Sequence, residues 1–246
     1  MESKVTIVSA FVTNVNHVDR TLEAYFNYGK LLLESDLPKI IFVDEPMHKL
    51  ISDNNIYCDD KTIIIKINKT DSYLYEYIND ITNFNINTTN TKKDTLEFML
   101  TICNKTEWLK EAILLDPFNT ENFIWIDYGL RHVFKCNDET FVSKINSLKD
   151  KTYENVRIAS IWNLDYKYNI DIEKDIAWYF AGGVFGGNKD SLVLFANKVK
   201  EKCIDIITTK KTITWEVNIW YLIYLENKNL FNNYNCDHND SIIDNY

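Results

Sequence analysis

Short apolar runs rich in β-branched residues recur along the chain, with little alternation between apolar and polar positions. This pattern is typical of strands that are buried on both faces of a parallel sheet. We therefore predict five strands, at residues 4–12, 39–44, 62–67, 123–127 and 157–161.

Apolar residues between these runs are spaced as on one face of a helix. The spacing predicts a helix that begins near Asp19, one long or two successive helices over 96–115, and further helices over 189–207 and 212–226. Alternating strands and helices predict an α/β fold with a single, mixed, mostly parallel sheet and helices on both faces. Ligands of such sheets bind beyond the carboxyl ends of the strands. The polar stretch at 83–94 predicts a loop that could act as a mobile lid.

Length and composition fit one globular domain over residues 1–246. The 36 acidic and 27 basic residues give a net charge of −9, which repels a phosphate backbone, so we expect no nucleic-acid partner. No apolar stretch approaches the ~18 residues of a transmembrane helix, and the first apolar run is too short for a signal peptide. The sequence therefore predicts a soluble, cytoplasmic protein that associates with membranes at most peripherally, and it does not indicate an oligomeric state.

A carboxylate ends the fourth predicted strand. Asp127 follows an aromatic and β-branched run, and Tyr128 and Gly129 then turn the chain, so the side chain should stand at the carboxyl edge of the sheet. A carboxylate there can hold a divalent cation that bridges the two phosphates of a nucleotide sugar and offsets charge on the departing diphosphate. The alternative is an aspartate that caps the turn through backbone N–H groups.

Four of the six glycines lie within residues 181–187 (Ala-Gly-Gly-Val-Phe-Gly-Gly). Glycine is needed where the main chain takes a positive φ or lies close to a ligand, so Gly182 and Gly183 are candidates to line a sugar ring. The alternative is a short strand between two tight bends. The segment is not a phosphate loop, because no Lys-Ser/Thr follows it.

The C-terminal part places a carboxylate among aromatic residues. Glu216 could act as general base or nucleophile in sugar chemistry, and Trp215 could stack on a sugar face. A helix-surface glutamate and a core tryptophan are the alternatives. His238, which follows Asp237, could add a ligand to a cation, or it could be an exposed residue near the C-terminus.

Several segments together carry a resemblance to a known family. They are residues 6–11, 40–44, 111–113, 117–120, 123–129 (Phe-Ile-Trp-Ile-Asp-Tyr-Gly), 182–187 and 237–246. Over most of its length the chain resembles the HtrL/YibB or WlaTC family of bacterial glycosyltransferases, which have the GT-A nucleotide-diphospho-sugar transferase fold. The block at 117–129 and the glycine segment are specific in combination.

The resemblance implies a role for each matching position. The implied nucleotide-sugar contacts are Ala10 and Phe11 (nucleotide), Asp44 (base), Lys105 (diphosphate), Asp127, Tyr128 and Gly129. By the same resemblance, Gly182, Gly183 and Trp215 would line the donor sugar or acceptor, and Glu216 and Asp127 would be catalytic. Typical GT-A enzymes carry Asp-x-Asp, whereas this chain lacks the second aspartate. Asp127 would therefore bind Mn²⁺ or Mg²⁺ with His238 or Asp237 as possible further ligands.

The expected activity is metal-assisted transfer of a sugar from a nucleotide-diphosphate donor to a glycan or other hydroxyl acceptor. The missing second aspartate keeps open an alternative, a noncatalytic sugar- or protein-binding module that retains the GT-A fold. Nucleotidyl transfer is a third option, but residues 13–16 after the first strand lack the basic, glycine-rich loop that it would need.

Overall fold

The computed structural model describes residues 3–13, 20–54, 56 and 60–246. These residues form seven strands: β1 (Val5–Phe11), β2 (Lys39–Val43), β3 (Thr62–Lys66), β4 (Asn122–Ile126), β5 (Val156–Ser160), β6 (Phe180–Asn188) and β7 (Phe231–Asn235). All seven join one sheet in the order β3-β2-β1-β4-β6-β5-β7. β6 pairs antiparallel with β4 and β5, and the other ladders are parallel, so of these strands β6 alone runs in the opposite direction.

Eight α-helices connect and flank these strands within the same residues. They are α1 (Leu22–Leu33), α2 (Glu45–Asp53), α3 (Leu96–Ile102), α4 (Lys105–Leu115), α5 (Asp138–Asn146), α6 (Lys189–Lys210), α7 (Glu216–Glu226) and α8 (Ser241–Asp244). Side-chain caps fix where many of them begin, since Thr21, Asp44, Thr95, Asn137 and Asn188 each accept a hydrogen bond from a first-turn N–H group.

Side chains that alternate along the strands build two apolar cores, one on each face of the sheet. On β4, Phe123 and Trp125 enter the first core, whereas Ile124 and Ile126 enter the second. Helices α3, α4, α6 and α7 contribute to the first core, and α1, α2, α5 and α8 contribute to the second. The predicted architecture, a single mixed and mostly parallel sheet with helices on both faces, is confirmed.

The five predicted strands are all present, and each begins and ends within one residue of its predicted bounds. The sequence pattern does not predict β6 or β7. Residues 180–188 form one continuous central strand, so the alternative of a short strand between two tight bends is wrong. Position 186 of that strand requires glycine, because a Cβ there would lie 2.3 Å from the Tyr246 hydroxyl oxygen and 2.5 Å from a β4 carbonyl oxygen.

The helix predicted over 96–115 is two helices, and α7 begins at Glu216 rather than at 212. Lys211 ends α6 with a left-handed φ of 57°, and residues 212–215 have no regular secondary structure before α7 begins. The predicted helix start at Asp19 and the loop residues 14–16 lie outside the described residues. Within the described part of the chain, no helix combines the length and the apolar character that crossing a membrane requires.

Candidate active site

A cleft of about 370 Å³ opens at the carboxyl edge of the sheet. Its floor is formed by the ends of β1 and β4 and by the beginning of β6, because the reversed direction of β6 brings its first residues to this edge. Ligands of open α/β sheets bind at this edge, which makes the cleft the candidate active site.

Asp127 comes directly after β4 and lines the cleft. Its backbone N–H donates to the Gly183 carbonyl at 2.9 Å, and its own carbonyl accepts from Leu130 N at 2.8 Å, which closes the turn. Trp125 lies two residues earlier, on the same face of the strand, and its indole Nε1 donates to Asp127 Oδ1 at 2.7 Å. The carboxylate is therefore held by side chains rather than by turn N–H groups, and 37% of the side chain is exposed to the cleft.

The ammonium group of Lys105, at the start of α4, joins the two candidate catalytic carboxylates. Its Nζ lies 2.9 Å from Asp127 Oδ1, 3.0 Å from Glu216 Oε1 and 3.1 Å from the Gly182 carbonyl oxygen. Only 9% of the lysine side chain and 8% of the glutamate side chain are exposed. An ammonium has three N–H donors, so these acceptors use its full hydrogen-bonding capacity.

Burial alone would lower the pKa of Lys105. The negative charges of Asp127 and Glu216, together with the hydrogen bonds to both, outweigh burial and raise its pKa above the ordinary value. Lys105 is therefore cationic at neutral pH. One positive and two negative charges meet at this point of the cleft.

Glu216 is the first residue of α7 and is 6% exposed. It approaches β6 so closely that a Cβ at Gly182 would lie 2.5 Å from Glu216 Oε1. At Gly183, a Cβ would lie 2.9 Å from Leu130 Cδ1. Because neither glycine has a Cβ, Glu216 at the start of α7 and Leu130 after β4 can both pack closely against the main chain of residues 182–183.

Most of the residues proposed from the sequence meet in this cleft. Besides those described above, the cleft is lined by Ala10, Phe11, Tyr128, Gly129, Trp215 and His238. Tyr128 and Trp215 are nearly buried, at 2% and 3% exposure. Tyr128 fills the space over Gly29, where a Cβ would lie 1.9 Å from its ring, so packing holds α1 against this turn.

Asp44 and Asp237 do not line the cleft. The Asp44 carboxylate accepts hydrogen bonds from Thr13 N at 2.6 Å, from Thr13 Oγ1 at 2.8 Å and from Met47 N at 3.4 Å. It therefore caps α2 and ties down the chain after β1. Asp237 is exposed beside His238.

Several cleft residues carry no signal in the sequence pattern. Arg20, Lys93, His132 and Trp178 lie in loops or short turns, and only the tertiary fold brings them to the cleft. Asn218, fully buried in α7, supports this wall from behind. Its side chain accepts from Ala177 N at 2.8 Å and donates to the carbonyls of Ile172 and Asp175 at 2.8 and 2.9 Å. A Trp-x-Asp pattern on a strand could have revealed the Trp125–Asp127 contact, since residues i and i+2 share a face.

Both histidines of the cleft are exposed to solvent, although neighbouring atoms of the cleft partly desolvate each ring. Burial lowers the pKa of His132, opposed by its contact with the Gly129 carbonyl and assisted by the charge of Arg20. Burial also lowers the pKa of His238, whose ring meets the Trp178 ring edge-on at 4.5 Å. Both side chains are therefore neutral at neutral pH.

The metal-ligating side chains of the described residues are not arranged to hold a divalent cation. Within those residues, no three His, Cys, Asp or Glu side chains are grouped so that they could hold a metal. Asp127 already accepts from Trp125 and Lys105, and Asp237 lies away from the cleft wall. A cation that binds with a phosphate substrate still needs one or two free carboxylates, and here the Asp127 carboxylate is already paired with the Lys105 ammonium.

The chain is distantly similar to two solved structures. The apo form of mouse xyloside xylosyltransferase 1 has a TM-score of 0.48 and 11% identity, covering 94% of this chain and 85% of that one. The 4-diphosphocytidyl-2C-methyl-D-erythritol synthase of Anaerococcus prevotii has a TM-score of 0.43 and 10% identity, covering 95% and 87%. No curated protein matches.

A family model is far more specific than these distant similarities. The model described as "Bacterial protein of unknown function (HtrL_YibB)" matches residues 3–242, nearly the whole chain. The segments that carry the resemblance in the sequence lie within this span, except for the last four residues of segment 237–246. The chain therefore belongs to the HtrL/YibB family of bacterial proteins.

Proposed function

We propose that this protein transfers a sugar from a nucleotide-diphosphate donor to a hydroxyl group of a glycan or other acceptor. The observation that supports this function best is the meeting of Asp127, Lys105 and Glu216 in a cleft at the carboxyl edge of the sheet. Sugar transfer needs positioned carboxylates next to a space that accepts a phosphate-linked substrate.

The order of the strands indicates how the nucleotide-sugar donor would be oriented across the edge of the sheet. β4 lies between β1 and β6, so Asp127 stands between Phe11 at the end of β1 and Gly182 at the start of β6. In this proposal the nucleotide lies over the end of β1, the diphosphate near Asp127, and the sugar against Gly182 and Gly183.

Glu216 is assigned the role of general base. In the reaction, the acceptor oxygen bonds to the anomeric carbon, the bond from that carbon to the diphosphate oxygen breaks, and the acceptor proton passes to the Glu216 carboxylate. Lys105 is a positioning residue in this scheme, because its three N–H donors already hold both carboxylates and the Gly182 carbonyl.

Donor hydrolysis by the purified protein tests the proposal, with a panel of UDP- and GDP-sugars and released nucleotide as the readout. Asp127→Asn and Glu216→Gln are each expected to lower the rate by about 10²-fold or more. Matched controls are Asp53→Asn on α2 and Glu226→Gln at the far end of α7, both in exposed ion pairs.

Two outcomes would contradict the proposal in different ways. A background rate that Asp127→Asn leaves unchanged, with the donor still bound, would favour the noncatalytic binding module. If the protein binds no nucleotide sugar of the panel, nucleotide-sugar transfer is excluded as its function.

A further inference from the structure

The diphosphate of a nucleotide-sugar donor carries negative charge that must be offset when it departs. In this cleft Asp127 and Glu216 face a single ammonium, and Lys105 has no N–H donor left for a ligand in this arrangement. The described residues also do not group three side chains for a divalent cation. Positive charge for a diphosphate is available from other side chains of the cleft.

Two further cationic side chains line the same cleft, Arg20 before α1 and Lys93 before α3. With Lys105, they make three cationic groups against two carboxylates in the lining, although the whole chain carries a net charge of −9. The cleft is thus locally basic on an acidic protein, which favours an anionic ligand.

Lys93 lies in a loop, but contacts of both its backbone and its side chain hold it in place. Its backbone N–H donates to the Asn90 carbonyl at 3.1 Å, and its ammonium lies 4.9 Å from the centre of the Phe98 ring, which also lines the cleft. Asp94 Oδ1 is 3.8 Å from the same ammonium, which is an ion-pair distance but too long for a hydrogen bond, so the N–H donors of Lys93 are not used by this carboxylate. About a third of the lysine side chain, 36%, is exposed, so its N–H donors are accessible to a ligand.

The loop that carries Lys93 is tied to the opposite wall of the cleft. Asn87 N donates to the Lys174 carbonyl at 2.7 Å, and Asn87 Nδ2 donates to Asp175 Oδ1 at 2.8 Å. Ile176 and Trp178, a few residues further along, line the cleft. These bonds set the loop at the mouth of the cleft, whereas its motion as a lid stays a prediction.

We infer that Arg20 and Lys93 bind the diphosphate of the donor in place of a divalent cation, so that nucleotide diphosphates bind this protein without metal. The inference rests on the proposed function, because it takes the donor to be a nucleotide diphosphate. Lysine and arginine make charge-assisted hydrogen bonds to phosphate oxygens, and these bonds are stronger than hydrogen bonds between neutral groups.

Calorimetric titration of the full chain with UDP and with GDP, in EDTA and in Mn²⁺, tests the inference. We expect the Kd of the bound nucleotide in EDTA to stay within about threefold of its value in Mn²⁺, and Lys93→Ala to raise it about tenfold or more. Arg20→Gln should raise it to a similar extent. Lys92→Ala, at the exposed neighbouring position, is the matched control and should leave Kd unchanged.

The outcomes separate the inference from the function on which it rests. Binding that requires Mn²⁺, or binding in EDTA that Lys93→Ala leaves intact, would overturn the inference and leave the proposed function standing. No nucleotide binding in either buffer would overturn both. Recovery of affinity with Lys93→Arg, compared with Lys93→Ala, would show that the charge matters rather than loop folding.

Discussion

At the scale of single residues, Lys105 connects more of the candidate site than any pattern in the sequence indicates. The sequence assigns it to the diphosphate by resemblance, but its ammonium is buried between Asp127, Glu216 and the Gly182 carbonyl. Those three acceptors come from the end of β4, the start of α7 and the start of β6. A single lysine therefore fixes the relative positions of three separate elements.

Replacing Lys105 with methionine should destabilise the fold, because it leaves the buried Glu216 carboxylate without its cation. Since Asp127 is 37% exposed, we expect a loss near the lower end for broken buried pairs, about 3 kcal/mol in the free energy of unfolding. Denaturant unfolding measures it. Lys110→Met on the same helix, where the lysine is 24% exposed, should cost less than about 1 kcal/mol.

The double variant Lys105→Met/Glu216→Gln completes this test. If the loss in the single variant comes from an uncompensated carboxylate, neutralising Glu216 should recover part of it, with a coupling of about 1 kcal/mol or more. Strict additivity of the two changes would show that the ion pair does not stabilise the fold.

At the scale of elements, the apolar runs predict β1 to β5 well because β-branched residues recur in all five and because β1, β2, β4 and β5 are largely buried. The edge strand β3 is only partly buried, but its three consecutive isoleucines still mark it as a strand. The sequence does not predict β6 because its glycines resemble turn residues. In the structure, a Cβ at each of these glycines would clash with a neighbouring element. β7 escapes because it is a polar edge strand, Phe231–Asn235, with a single paired neighbour in the sheet. The predicted site residues at the ends of β1 and β4 and at the start of β6 come together, whereas Asp44 after β2 caps α2 instead. Arg20 and Lys93 depend on loop positions that local sequence does not determine.

Asn218 shows how one element holds another in place. Asn218→Ala would leave Ala177 N and two loop carbonyls without their partner, so we expect a loss of about 2 kcal/mol in unfolding free energy. Hydrogen exchange of the Ala177 amide should accelerate, because this bond holds the wall that carries Ile176 and Trp178.

Asn227→Ala is a matched change beyond the other end of α7. Its side chain makes one bond, to the Ile223 carbonyl at 3.0 Å, so its loss should stay within about 1 kcal/mol and leave the Ala177 amide unaffected. Equal exchange rates in both variants would contradict the role given to Asn218.

At the scale of the whole molecule, the last residue of the chain is part of the second core. Tyr246 is 2% exposed, packs near Gly186 of the central strand and meets the Tyr153 and Tyr234 rings edge-on. Its hydroxyl is buried and finds no hydrogen-bond partner among the described residues. The ring therefore supplies packing, whereas its polar atom opposes folding.

A pair of substitutions at this position separates the two effects. Tyr246→Phe removes only the unpaired hydroxyl and should leave the unfolding free energy unchanged or raise it slightly. Tyr246→Ala removes the ring and should cost about 3–5 kcal/mol. Thermal and denaturant unfolding of both variants measure this, and a large loss in Tyr246→Phe would mean that the hydroxyl has a partner after all.

The reversed direction of β6 also determines where this scaffold can change its chemistry. Residues 161–179 enter the strand at the cleft, and they already supply Ile176 and Trp178 to its wall, whereas Asn188 leaves the strand at the opposite edge. Under the proposed function, changes in the entering segment would alter contacts with the acceptor, whereas changes in the departing segment would lie at the edge of the sheet away from the cleft.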